Sequence, residues 1–131
     1  MSKHTITFYI VDKKPPEAYQ ELANYIASQM PMSSIYIHTD HQEQAMMIHD
    51  ILWAYPPDRF IPSSLDPDCP ECVILIGHQE VPDRSFIINT SKMMINTPHI
   101  EWVHEHKEAA RERYKHWKSL KHPLETVRVS S

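Results

Sequence analysis

At 131 residues, 41% hydrophobic and 23% charged, the chain has the size of one domain and can bury a core without disulfide or metal staples. A net charge of −4 argues against sequence-independent phosphate binding, two cysteines make no disulfide framework, and no apolar run approaches the ~20 residues of a membrane span. The single glycine, Gly77, excludes glycine-rich phosphate loops and the nucleophile elbow, which need several residues free to adopt positive φ or to let backbone amides approach an anion.

Met1-Ser2-Lys3-His4 lacks the apolar stretch of a signal peptide, so a soluble cytoplasmic protein is expected. Thr5 to Val11 is β-branched and aromatic and predicts a buried strand, closed by Asp12-Lys13-Lys14-Pro15-Pro16. From Glu17 to Met30 the apolar residues Tyr19, Leu22, Ala23, Ile26 and Met30 recur at helical spacing. Ser34 to Thr39 predicts a second strand. Asp40-His41-Gln42-Glu43 then matches a capping box, opening a helix to about Ala54 with Ala45, Ile48 and Leu52 on its inner row. The order β-α-β-α is the start of a sheet with crossover helices.

Five prolines between Pro56 and Pro70 make the middle mostly irregular, with a short extended piece around Phe60-Ile61. Cys72 to Ile76 and Ser85 to Asn89 predict two further strands. Ile100 to Val103 fits either a short strand or the first turn of the last helix. That helix continues to about Leu120, and from about residue 122 the chain is expected to be extended or frayed.

The last helix concentrates charge. Lys107 to Lys121 contains six Lys or Arg against two Glu, a balance of +4 that leaves −8 for the rest. At helical spacing Lys107, Arg111, Lys115 and Lys118 fall within roughly 80° of one another, with Tyr114 on the border of the stripe. Ala110, Trp117 and Leu120 lie further round, toward a core, and Glu108 and Glu112 at the far side of the basic cluster. A positive stripe edged by an aromatic ring suits an acidic peptide ending in an apolar residue better than a nucleic acid, given the acidic body.

Other constellations are weaker. Cys69-Pro70-Glu71-Cys72 is a C-x-x-C, but it feeds a strand rather than a helix N-terminus and has no second ligand pair. A zinc- or redox-active protein built on that pair is the alternative reading. His104-Glu105-His106 could share an ion in a strand and not in a helix, and His38 and His41 straddle a predicted turn. Ser63-Ser64 and Ser130-Ser131 are expected in loops with no oxyanion site, so no catalytic set emerges. Trp53 flanks the inner row of its helix beside Met46, with Tyr55 and Phe60 following, and either covers the core edge or centres an interface patch.

Thr7-Phe8-Tyr9, Gln44-Ala45 through Leu52-Trp53-Ala54, Phe60-Ile61-Pro62 and above all Ala110-Arg111-Glu112-Arg113-Tyr114-Lys115 resemble the chi subunit of bacterial DNA polymerase III. Order and spacing agree across nearly the whole chain. Between Asp66 and Pro98 only the strand pattern matches, and the C-x-x-C is outside the family pattern. The resemblance implies a single α/β domain over residues 1–131, three-layered, with a mostly parallel sheet like that of nucleotide-binding folds but without their phosphate loop. It implies a replisome accessory subunit with no enzymatic activity of its own and no cofactor or metal. Its partners would be the psi subunit, through it the clamp loader, the acidic C-terminal tail of single-stranded-DNA-binding protein, and a repair helicase as an alternative to psi. Val103, Lys107, Arg111, Tyr114 and Lys115 would contact the tail, and Trp53 and Phe60 would face psi or the helicase.

Overall fold

In a computed structural model of the protein the described residues are 5–14, 16–29, 35–54, 63–66, 74–79, 82, 86–95, 98–104 and 107–129. They form one α/β domain: β1 (Ile6–Val11), α1 (Glu17–Gln29), β2 (Ile35–His38), α2 (Gln42–Ala54), β3 (Ser63–Ser64), β4 (Ile74–Gly77), β5 (Phe86–Asn89), β6 (Ile100–Val103), α3 (Lys107–Ser119) and β7 (Leu124–Val129). The seven strands lie in the order β3-β4-β2-β5-β6-β1-β7, and every pairing is parallel. Such sheets need both faces covered, and the helices do this from opposite sides.

The period of two along β1 divides the core. Val11 joins Leu22, Ala23 and Ile26 of α1 and Ala45, Ile48 and Leu52 of α2 on one face, with Ile35, Ile37, Ile74, Ile76 and Ile88 from the sheet. Ile6 and Phe8 point to the other face, where Val103 of β6 and Ala110 and Trp117 of α3 cover them. Each of the buried Val, Leu, Ile and Phe side chains contributes roughly 1.5–3 kcal/mol through removal from water. The Trp102 indole N–H donates to Ala18 O at 3.1 Å and fastens α1 to β6.

The fold decides two alternatives the sequence leaves open and changes two further expectations. Ile100–Val103 is a strand, because it lies between β1 and β5 and pairs with both. Ser63–Ser64, expected in a loop, forms β3 beside β4. From Leu124 the chain is not frayed but pairs along the whole of β1, Ile6 opposite Leu124 through Val11 opposite Val129. Leu120, expected toward the core, is 49% exposed because α3 ends at Ser119. The helix stops in a Schellman turn: His122 N–H donates to Trp117 O and Lys121 N–H to Lys118 O, with Lys121 at φ 59°. Placing lysine rather than glycine there costs about 1–2 kcal/mol, and it swings the chain back toward β1.

The capping box of α2 is shifted by one residue. His41 Nδ1 accepts from Gln44 N–H at 3.2 Å, and Gln44 Oε1 reaches back to Asp40 N–H at 2.8 Å. Asp40 is thereby free to accept from the Lys92 amide at 3.0 Å. These groups fill the crevice beyond the ends of β2 and β5, where the crossovers diverge and where sheets of this class bind ligands. Gln44 Nε2 donates to Thr90 Oγ1 at 3.3 Å, and Thr90 Oγ1 donates to His38 O at 2.7 Å. The crevice is thus bridged by the protein's own amide and hydroxyl.

Candidate functional site

A cleft of about 340 Å³ opens where α3 crosses β1 and β7. Its floor is Phe8 and Ile10 of β1 with Val103 of β6, and α3 supplies Lys107, Ala110, Arg111 and Tyr114. Thr126 and Arg128 of β7 form the opposite wall. Half-buried Tyr114 meets buried Phe8 edge-on, with ring centroids 5.2 Å apart at 72°, an attractive geometry that holds the phenol against the apolar floor. Cations, a ring and an apolar floor in one concavity can receive an anion that carries an apolar group.

Four of the five residues that the resemblance nominates therefore line one cleft: Val103, Lys107, Arg111 and Tyr114. Lys115 does not. It sits one turn on, in a shallow depression with Glu108, Ala109, Arg111 and Glu112, and its ammonium lies 3.8 Å from Glu112. The two glutamates, expected away from the basic cluster, thus border it, and Arg111 stands between the two concavities. At the mouth, Asp12 at the end of β1 accepts from Lys107 Nζ at 3.3 Å and from Arg128 Nη1 at 2.9 Å.

Beneath the stripe lies a feature that counting charges by residue type misses. Arg113, two residues from Arg111, points inward with Ala110 and Trp117, as i, i+3 and i+7 spacing requires. Its Nε donates to Glu101 Oε2 at 3.1 Å and its Nη1 to Lys92 O at 2.9 Å. Glu101 is fully buried in β6, and its Oε1 accepts from Asn89 Nδ2 at 3.0 Å. A glutamate inside the apolar run Ile100-Glu101-Trp102-Val103, together with an arginine on the inner row of the next helix, is the signal that could have identified the pair.

Burial pushes the Glu101 carboxyl up from 4.5 to about 7, against the opposing pull of Arg113 and Asn89. The folded state therefore holds this proton more tightly than the unfolded chain, where the carboxyl titrates near 4.5. Its contribution to stability is complete below that value and is lost as pH rises through about 7. Urea midpoints measured across this range should fall with rising pH in the unmodified protein. In Glu101→Gln that part of the decline should vanish, and an unchanged pH profile would refute the assignment.

Trp53 occupies a second surface, on α2. It is 48% exposed, its indole N–H donates to Ser63 O at 3.3 Å, and its ring meets His49 edge-on at 6.0 Å. Met46, two turns earlier on the same face, is exposed as well. Trp53 thus ties α2 to β3 while half of it remains open. Phe60, the extended piece at Phe60-Ile61, Ser130-Ser131 and the Cys69/Cys72 pair lie outside the described residues. Among the described residues no three His, Cys, Asp or Glu side chains gather where they could hold a metal ion. His41 caps α2, His38 bonds Tyr36 at 2.9 Å and His104 bonds Tyr19 at 3.1 Å. No helix among the described residues is long and apolar enough to cross a membrane.

The model of a family described as DNA polymerase III chi subunit, HolC, matches residues 3–125. The DNA polymerase III subunit chi of Pseudomonas aeruginosa is 22% identical over 142 residues, spanning 95% of this chain and 96% of that protein.

Proposed function

The chain belongs to the DNA polymerase III chi subunit family, accessory subunits of the replisome, and from this we propose that its cleft receives the acidic C-terminal tail of single-stranded-DNA-binding protein. The role is a non-catalytic link, exercised in the cytoplasm. One surface binds the tail, and the Trp53 surface of α2 meets the psi subunit and through it the clamp loader, or a repair helicase in psi's place. By resemblance Phe60 would contact the same partner.

The observation that carries the reading is the mixed chemistry of the cleft. Lys107 and Arg111 offer charge-assisted hydrogen bonds to aspartates and a terminal carboxylate, while Phe8, Ile10, Val103 and the Tyr114 ring accept a final aromatic side chain. Lys115, turned to the outer depression, meets acidic residues further back along the tail.

Titration with a synthetic tail peptide tests this. Arg111→Ala and Tyr114→Ala should each weaken binding by about 1–3 kcal/mol, the range for truncation of a hot-spot residue. Added salt should weaken binding to the unmodified protein, because the contributing charges face solvent. Unchanged affinity in both variants would defeat the assignment.

A further inference from the structure

The cleft contains a cation that neither the α3 stripe nor the family match accounts for. Arg128 stands on β7, beyond the matched residues 3–125, yet it lines the same concavity as Lys107 and Arg111. One carboxylate spans two of these cations: Asp12 takes Lys107 on Oδ1 and Arg128 on Oδ2. Three segments distant in sequence thus converge on a single carboxyl group. The geometry is that of a carboxylate receptor with the protein's own side chain as its occupant.

Both ion pairs face solvent, with the Lys107 side chain 53% and that of Arg128 68% exposed. Exposed pairs of this kind contribute little to stability and exchange readily. Arg128 reaches Asp12 through Nη1 alone, so the rest of its planar fork has the shape to take a second carboxylate edge-on. Next to it lies the apolar floor of Phe8, Ile10 and Val103. A carboxylate and an apolar side chain carried on one α-carbon occur together only at the last residue of a chain.

We propose, building on the reading of this cleft as a tail site, that Arg128 is an additional ligand-binding residue and that Asp12 is an internal competitor. The terminal carboxylate of the incoming peptide displaces the Asp12 carboxylate from between Lys107 and Arg128. Asp12 keeps the two cations apart and in place before the ligand arrives, and its negative charge raises the threshold for binding. The exchange makes the cleft selective for chain ends over internal acidic segments.

The probe is a synthetic aspartate-rich peptide ending in phenylalanine, made with a free carboxylate and as the C-terminal amide, and titrated by fluorescence anisotropy. Arg128→Gln should weaken the free acid about tenfold and leave the amide nearly unchanged, so that the penalty for amidation collapses in this variant. Asp12→Asn should tighten the free acid about threefold, a gain that disappears in the Asp12→Asn/Arg128→Gln double variant. An amidation penalty equal in the unmodified protein and Arg128→Gln overturns the proposal. So does a folded Asp12→Asn variant that binds no better than the unmodified protein. If Arg111→Ala still weakens binding in either case, the tail reading stands and only the exchange falls; absence of binding by the unmodified protein removes both.

Discussion

Arg113→Ala should lower the folding free energy by about 3–5 kcal/mol, the usual cost of removing one partner from a buried ion pair. The alanine strips Glu101 of the guanidinium at 3.1 Å and leaves Lys92 O without its donor at 2.9 Å. Among the described residues only Asn89 then remains to hold the buried carboxyl. The loss should be greatest above about pH 7, where Glu101 is ionised, and smaller in acid, where it carries a proton. Urea denaturation at the two pH values measures both effects. The double variant Glu101→Leu/Arg113→Met should recover much of the stability, because apolar replacement of a whole buried pair is often neutral. A single-variant loss below about 1 kcal/mol, the level of an exposed pair, would mean that Arg113 does not hold α3 against β6.

Phe8→Ala should cost a similar amount, about 3–5 kcal/mol, through the cavity left under α3. For a domain of this size that corresponds to a fall in melting temperature of about 10–20 °C. The substitution also removes the floor of the cleft and the edge-on partner of Tyr114, so tail affinity should drop in the fraction that stays folded. Arg111→Ala separates the two effects, since its side chain lies on the surface and its loss should change binding while leaving the melt nearly in place. Melting and titration of the same preparations give the comparison. A Phe8→Ala protein that melts within about 3 °C of the original would show that α3 does not rest on this ring.

Strong periodic signals in the chain were legible in advance. The β-branched run at residues 6–11, the inner row Ala45, Ile48 and Leu52, and the opening β-α-β-α order follow from spacing, Ala110 and Trp117 turn inward as the helical phase demands, and the mostly parallel sheet is what the family resemblance implies. What escaped depended on partners distant in sequence. Leu124–Val129 buries neither face fully, so it carries no periodic mark; its stability comes from backbone pairing with β1. Asp40 and Glu43 match a capping box by type, but the fold assigns Asp40 to the Lys92 amide and moves the cap to His41 and Gln44. Arg128 could not be grouped with Lys107 before the topology placed β7 beside α3. Arg113 was hidden because residue type alone does not distinguish an inward arginine from its outward neighbours.

The position of β1 governs when the cleft comes into being. Its neighbours in the sheet are β6 and β7, so Phe8 finds its partners only after residues 100–103 and 124–129 have been made. Pairings between such remote segments form late and slowly. On the ribosome the cleft floor therefore emerges as a bare apolar strand, a sticky edge that invites misassociation until the walls arrive. A cleft lined by both Lys107 and Arg128 therefore exists only in a molecule whose synthesis has passed Arg128 and whose β1 and β7 have paired.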